Sequence, residues 1–318
     1  MQLYENFSQI KTMHSGGCIA IGNFDGVHLG HREVIRVARE IAENNNLPLG
    51  VLTFEPHPRE YFGPDTKPFR LTPLHLKQEY IEELGVEFFV VLKFDEKLSS
   101  LSAEEFVSNV LVDGFRARHI VSGKDFVFGN KRSGSVSLLK RMGKDGGFKT
   151  TSVAHITDNA GTIISSTRIR ELLLAANPGE ASKLLGRGFE VSGKVIAGDR
   201  RGRQIGFPTA NQVLSETMLP ALGAYAVRAG VNQGSNVTWH HAIANLGFRP
   251  TFEGKACLLE THIFDFNGDL YNSILRVVFV EYIRPEIKFP DIEELKMQIE
   301  VDSKSAKLIL ENRSPLYL

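Results

Sequence analysis

The sequence predicts an α/β domain on a parallel, Rossmann-like sheet, followed by an antiparallel β-barrel domain with a C-terminal helix. Three observations carry this. Up to about residue 185 apolar strand-like stretches alternate with amphipathic helical ones, the pattern of a parallel sheet covered by helices on both faces. From Glu190 onward the apolar segments are short and β-rich, punctuated by glycines and an Asn-Gly-Asp turn, which suits a closed antiparallel barrel. At 318 residues the chain is long enough for two cores. The spacing places the boundary so that residues 1–185 form one domain and 186–318 the other.

Taken in order, Cys18–Phe24 reads as a buried strand. Residues from His31 to Asn44 place Val34, Ile35, Ala38, Ile41 and Ala42 at helical spacing. Leu49–Phe54 is a second strand. Thr72 is expected to cap a helix with Pro73 in its first turn, and Gly85 to stop it. Val86–Phe94 is a continuous apolar strand. Ser102 with Glu105 three residues later forms a capping box for a helix ending near Gly114. His119–Ser122 and Lys149–Ala154 are short strands, and Thr167–Ala176 a further helix. In the second half "FEVSGKVIAG", "GAYAVRAGV", "HHAIANLG", "CLLETHIFDF" and "ILRVVFVEYI" supply the barrel strands. A long amphipathic helix from Asp291 to Leu310 closes the chain.

Charge narrows the function classes. Lys plus Arg and Asp plus Glu number 37 each, so no global field favours nucleic acid or an anionic membrane. The two cysteines, Cys18 and Cys257, make no disulfide framework and carry no metal-site spacing. No apolar run approaches ~18 residues and no signal-peptide pattern opens the chain, so a cytoplasmic, soluble protein is expected, as a monomer or weak homo-oligomer.

Chemistry gathers where strands turn into helices, because ligands of open parallel sheets bind at the carboxyl ends of strands. "GNFDGVHLGH" sits at such a turn. Gly22, Gly26 and Gly30 allow close backbone approach, and the first helical N–H groups suit phosphate. His28 and His31 are placed to donate to charge developing on a phosphoryl group; on spacing alone, a turn histidine and a helix-start histidine account for the pair equally. "ISSTRIR" opens a later helix with Ser165, Ser166, Thr167 and Arg170, a phosphate-type turn or a plain N-cap. "FEPHPREYFGPDTKPFR", with His57, is long for a connector and reads as a ligand lid. "GKDFVFGNKRSG" joins Asp125, Phe126 and Phe128 to basic residues, which suits an aromatic ligand bearing a phosphate or a hydrophobic loop anchor.

In the second half "GDRRGRQIGFPTAN" is a glycine-rich flap with arginines, lacking the Gly-Lys-Ser/Thr of a Walker loop. Thr209 and Asn211 present neutral oxygens two residues apart, a donor type that magnesium takes together with substrate phosphates; a capped turn is the alternative. Glu260 lies in "LETHIFDFNGDLY", and Arg284 and Phe289 in "YIRPEIKF".

These motifs resemble two known signatures. His-x-Gly-His after Gly-x-Phe-Asp-Gly, with the later Ser-Ser-Thr turn, is similar to the nucleotidylyltransferase superfamily. Gly-Arg-x-x-Gly-Phe-Pro-Thr-Ala-Asn resembles the riboflavin kinase signature, and "NLGFRPTF" resembles a segment that usually reads Gly-Thr-Arg-Pro-Thr-Phe, with Phe248 at a position usually small. Over essentially its whole length the chain resembles the bacterial bifunctional riboflavin kinase and FAD synthetase (FMN adenylyltransferase) family. The resemblance implies ATP-dependent phosphorylation of riboflavin to FMN, then adenylylation of FMN to FAD with release of pyrophosphate. Mg²⁺ would act with ATP, and FMN and FAD would be substrate and product rather than prosthetic groups. It implies Glu260, His28, His31 and Arg170 as catalytic. For the adenylyltransferase, Gly22, Phe24, Gly30, Ser165, Ser166 and Thr167 would bind ATP and His57, Asp125, Phe126 and Phe128 flavin. For the kinase, Gly198, Arg203, Thr209 and Asn211 would bind ATP, with Thr209 and Asn211 on the metal, and Arg284 and Phe289 flavin. Two alternatives stand beside this: one silent module, or a non-catalytic flavin-responsive regulator or RNA-binding protein. Complete motifs in both halves count against the first. Balanced charge and the lack of a basic aromatic strand motif count against RNA.

Overall fold

The computed structural model describes residues 1–6, 9–63, 68–197, 202, 205–233, 236–251 and 254–313. They divide into two compact units, one of Met1–Thr66 with Pro73–Ile164 and one of Lys67–Thr72 with Ser165–Leu318.

The first unit runs β1 (Gln2–Tyr4), β2 (Cys18–Ile21), α1 (Leu29–Asn45), β3 (Leu49–Glu55), α2 (Pro58–Phe62), α3 (Leu74–Glu82), β4 (Phe88–Lys93), α4 (Glu96–Ser99), α5 (Ala103–Glu105, continuing through Phe106–Gly114 in a wider winding), β5 (His119–Gly123), the short pair β6 (Val127–Phe128) and β7 (Gly134–Ser135), α6 (Val136–Gly146) and β8 (Lys149–Val153). The main sheet has the order β1-β4-β3-β2-β5-β8, every pair parallel. Alternate residues of one strand serve opposite cores. Ile19 and Ile21 pack with Phe106, Leu111 and Leu139, whereas Cys18 and Ala20 pack with Ile35, Ala38 and Ile81. Burial on both faces is why these strands read as unbroken apolar runs. Gly50 of β3 lies opposite Phe88 of β4, and a Cβ there would stand 2.2 Å from the Phe88 ring. Only glycine fits that close approach.

The capping box at Ser102 and Glu105 is present, with bonds of 3.1 and 2.8 Å. The cap of α3 is Pro73 and not Thr72; Thr72 stands one residue outside the helix and is buried. Strand β2 ends at Ile21, three residues before the expected end at Phe24, where the chain turns at Gly22. Sequence periodicity passed over β1, whose three residues pair with β4 at the sheet edge, and α6, although Leu138, Leu139 and Met142 make an apolar stripe at helical spacing.

The second unit begins with α7 (Ser166–Leu174) and α8 (Pro178–Leu185). Its barrel comprises β9 (Phe189–Ile196), β10 (Ala210–Val213), β11 (Gly223–Gln233), β12 (Asn236–Thr251), β13 (Gly254–Ile263) and β14 (Ile274–Arg284), and α9 (Ile292–Asn312) follows. The barrel closes in the order β10-β13-β12-β11-β14-β9, all antiparallel. Along β13, Cys257, Leu259, Thr261 and Ile263 are buried inside while Leu258, Glu260 and His262 alternate with them on the half-buried outer face. Helix α9, capped by Asp291, covers the outer wall where Ala306 and Leu310 meet Ala226, Ile243, Phe264 and Val280.

Candidate active sites

In the first unit the turn between β2 and α1 is held in an unusual backbone state. Phe24, Gly26 and Val27 have φ of 49°, 94° and 39°. For the two non-glycine residues, and for β-branched Val27 above all, such values cost about 1–3 kcal/mol each. Both side chains are buried in the α1-side core, so apolar burial offsets the strain. Thr53 of β3 braces the turn by donating its hydroxyl to the Asn23 carbonyl at 3.1 Å. Asp25 is buried in the same turn.

His28 caps α1 with its ring. Its Nδ1 accepts from the Gly30 N–H at 3.1 Å and from the His31 N–H at 3.4 Å. With Nδ1 used as acceptor, the proton of the neutral imidazole sits on Nε2, leaving that atom as a donor. The ring stacks on His31 at 3.6 Å between centroids and 19° between planes. Phe24 packs edge-on against His31 at 5.4 Å. A Cβ on Gly30 would stand 3.0 Å from the His28 ring and 3.6 Å from the Ile164 carbonyl, so glycine lets ring, helix start and the end of this unit converge. The result is a helix N-terminus with two parallel imidazoles, a bed for an anion.

The loops around His57 and Phe126 are also ordered by local bonds. His57 caps α2 by accepting from the Arg59 N–H at 3.1 Å. Ahead of it, Glu55 receives the buried Lys77 ammonium of α3 at 3.0 Å. Tyr61, Phe62 and Phe94 meet edge to face at 5.2–5.7 Å, and Phe62 is 70 % exposed. Phe126 stacks on Phe128 at 5.5 Å. Phe128 is itself buried against Phe106, so it anchors the loop to the core while Phe126 continues the stack outward. Asp125 is exposed, 3.9 Å from the His155 ring.

The second unit carries the remaining residues. Ser165 caps α7 through its hydroxyl, which accepts from the Arg168 N–H at 3.3 Å; Ser166 and Thr167 occupy the first turn. Arg170 donates from Nε to the Phe69 carbonyl at 2.8 Å, with its guanidinium 5.0 Å over the Phe69 ring.

In the barrel, strand register assembles the candidates. Asn211 of β10 lies directly opposite Glu260 of β13, and Glu260 opposite Asn245 of β12, all three on the outer face. Directly paired side chains stand about 5 Å apart, so an amide, a carboxylate and an amide form one row. Asn245, in "NLGF", was not among the sequence candidates; its signal was only its place in the family-like segment. Thr209 and Asn211 line a cavity of about 570 Å³ with Thr261, Phe266, Asp269 and Tyr271. Arg284 pairs with buried Asp302 of α9 at 2.7 Å and lies 5.8 Å over the Phe289 ring, so these two candidates do meet. Phe248 is 46 % exposed on β12. Gly198 and Arg203 lie outside the described residues.

The described centres match a pair of family models. The model described as FAD synthetase matches residues 10–168, and that described as riboflavin kinase matches residues 185–310. The "Bifunctional riboflavin kinase/FMN adenylyltransferase" of Haemophilus influenzae is 40% identical over 96% of this chain and 98% of that protein. The protein of the same description from Bacillus subtilis is 39% identical over 93% of each. A crystal structure described as a macrolide-efflux protein from Streptococcus pneumoniae superposes with a TM-score of 0.85 at 33% identity, covering 98% of this chain and 99% of that one. Among the described residues no helix is long and apolar enough to cross a membrane. The chain therefore belongs to the bifunctional riboflavin kinase/FMN adenylyltransferase family.

Proposed function

We propose that the barrel phosphorylates riboflavin with ATP at Glu260, and that the turn holding His28 and His31 serves the transfer of AMP from ATP to FMN. In the kinase reaction the Glu260 carboxylate takes the proton of the ribityl 5′-hydroxyl as that oxygen bonds to the γ-phosphorus and the bond to ADP breaks. Positioning and electrostatics dominate such a transfer. The hydroxyl of Thr209 and the amide oxygen of Asn211 are hard oxygen donors beside a carboxylate, a set that fits Mg²⁺. When bound there with ATP, Mg²⁺ supplies neutralisation of the phosphate charge. Asn245, on the other side of Glu260, holds the carboxylate in the row. Arg284, fixed by Asp302, presents Phe289 to the flavin.

Adenylylation needs no strong base, because the FMN phosphate is anionic near neutral pH. Its oxygen attacks the α-phosphorus of ATP and pyrophosphate leaves. His28 donates from Nε2, the atom its capping bonds leave protonated. The stacked His31 and the positive end of the α1 dipole support the same charge. Gly22, Phe24 and Gly30 shape the bed, while Ser165, Ser166, Thr167 and Arg170 serve the leaving phosphates by resemblance. His57, Asp125 and Phe126, with Phe128 behind them, receive the flavin. We place the functional boundary at 185/186, so that "ISSTRIR" stays with the adenylyltransferase.

The observation that carries the reading is the row Asn211–Glu260–Asn245, which puts a carboxylate between two amides beside the cavity lined by Thr209. Supplying riboflavin, ATP and Mg²⁺ and separating the products tests it. FAD with transient FMN is expected; FMN alone would leave a kinase only, and unchanged bound riboflavin would leave a flavin-responsive binder.

A further inference from the structure

We infer that His262 is a positioning residue for the kinase, locking the Phe207–Pro208 turn so that Thr209 and Asn211 keep their place beside Glu260. The inference rests on the reading of Glu260, Thr209 and Asn211 given above.

The ladder between β10 and β13 ends at the pair Ala210–Thr261. Two steps further the register reaches Pro208, which lacks an N–H and can offer a ladder only its carbonyl. The side chain of His262 supplies the missing tie. Its Nδ1 stands 2.8 Å from the Pro208 carbonyl oxygen. A carbonyl only accepts, so Nδ1 carries the proton. The ring is set edge-on between Phe207 at 5.3 Å and Phe264 at 5.7 Å, both at 76°, which fixes its direction as well as its distance. On the other side of the turn, the Phe207 N–H bonds the Gly202 carbonyl at 2.8 Å. The residue that follows the tethered carbonyl is Thr209. His262 also shares the outer face of β13 with Glu260, two residues away, so one strand carries both the base and the tether that sets the opposing oxygens relative to it.

Two substitutions separate this role from ordinary packing. His262→Phe keeps an aromatic ring between the two phenylalanines and removes the N–H. His262→Asn places an amide N–H at the branch position of Nδ1 and removes the ring. A displacement of about 1 Å at a reacting group can cost up to ~10²-fold, and loss of one tether should cost part of that. His262→Phe is therefore expected to lower the kinase kcat about tenfold and to weaken calorimetric binding of ADP in the presence of Mg²⁺ by a similar factor. Riboflavin KM, FAD synthesis from supplied FMN and the thermal midpoint should stay near wild type. His262→Asn should recover most of both losses. Wild-type kcat and ADP affinity in His262→Phe, or equal losses in the two variants, overturns the inference. Thr209→Ala on the same background separates the layers. If it abolishes kinase activity while His262→Phe does nothing, only the tether falls. If Thr209→Ala is fully active, the reading of the segment falls and the inference with it.

Discussion

In the function proposed above, the turn at Gly22–Gly30 and the row Asn211–Glu260–Asn245 both serve nucleoside triphosphates, and they are built by different physical means. The turn is a local device. Ten consecutive residues contain its glycines, its strained Phe24 and Val27 and both histidines, and a capping bond within that stretch orients the His28 ring. The barrel row is a device of register. Its three members come from three strands, none strained, and meet because antiparallel pairing puts them opposite one another. A local device depends on backbone conformation that burial must hold in place. A register device depends on every strand keeping its pairing, since a slip of one residue would turn Glu260 into the barrel.

The sharpest way to break this contrast is to cut the chain. A fragment of residues 1–185 contains the turn and "ISSTRIR", whereas one of residues 1–164 lacks the second phosphate signature, although the first compact unit ends at Ile164. The longer fragment should adenylylate FMN and the shorter should lose that activity entirely. A fragment of residues 186–318 keeps the whole barrel row and should phosphorylate riboflavin. Adenylylation by the 1–164 fragment at the rate of the longer one would show that the turn works without the second signature.

That difference also explains what could be read in advance. The turn was legible because its glycines and histidines are adjacent and sit at a strand-to-helix change, between β2 and α1. The ring capping of His28 was not legible, since histidine is an uncommon cap and its rotamer is set by stacking on His31. The barrel strands were legible from their short apolar runs, but Asn245 was not, because no local pattern says which residue will lie opposite Glu260. Thr53 and Lys77 escaped for a related reason: each acts on a residue more than twenty positions away, Asn23 and Glu55 respectively. Phe128 kept its place in the motif yet is buried in the core, so its alternative as a loop anchor describes its packing.

Glu260→Gln tests the register device with the next largest effect. The amide keeps the shape of the row and removes the base, so FMN formation should fall by ~10²-fold or more while FAD formation from FMN persists. Product separation on one preparation checks both. Near-normal riboflavin phosphorylation would remove Glu260 from the mechanism.

The turn is tested by separating capping from donation. His31→Ala should lower FAD synthesis by about 10²-fold, the size of a lost oxyanion-type donor of ~3 kcal/mol, with kinase activity nearly unchanged. His28→Asn retains a side-chain cap for α1, whereas His28→Ala loses cap and donor together. Asparagine should therefore hold the thermal midpoint near wild type and still lose FAD synthesis. Loss of a cap alone costs about 0.5–2 kcal/mol, so His28→Ala should also melt earlier. A His28→Asn variant with full FAD synthesis would reduce His28 to a structural cap, and the local device to His31 and the helix start.

The smallest effect concerns acid and again compares the two units. In the first, burial pushes the His14 and His119 imidazoles below their ordinary value near 6.5. His14 also stacks on Phe88 at 4.9 Å and shares a 2.8 Å hydrogen bond with the Tyr4 hydroxyl. His119 bonds the Thr151 hydroxyl at 2.8 Å, and the nearby Lys149 adds to its shift. In the barrel burial, with Arg228 second, lowers His241. Each group binds its proton more readily unfolded than folded. Its contribution to stability is therefore complete above pH 6.5 and is lost as the pH falls from there through the folded value. The slope cannot exceed about 1.4 kcal/mol per pH unit for each histidine. With His14 and His119 in the first unit against His241 in the barrel, the 1–185 fragment should lose thermal midpoint more steeply than the 186–318 fragment between pH 7 and 5.5. His14→Gln, which retains a partner for Tyr4 but cannot titrate, should flatten the first fragment's curve and leave its midpoint at pH 7.5 less affected. Equal slopes in the two fragments, or an unchanged slope in His14→Gln, would locate the acid sensitivity outside these buried rings.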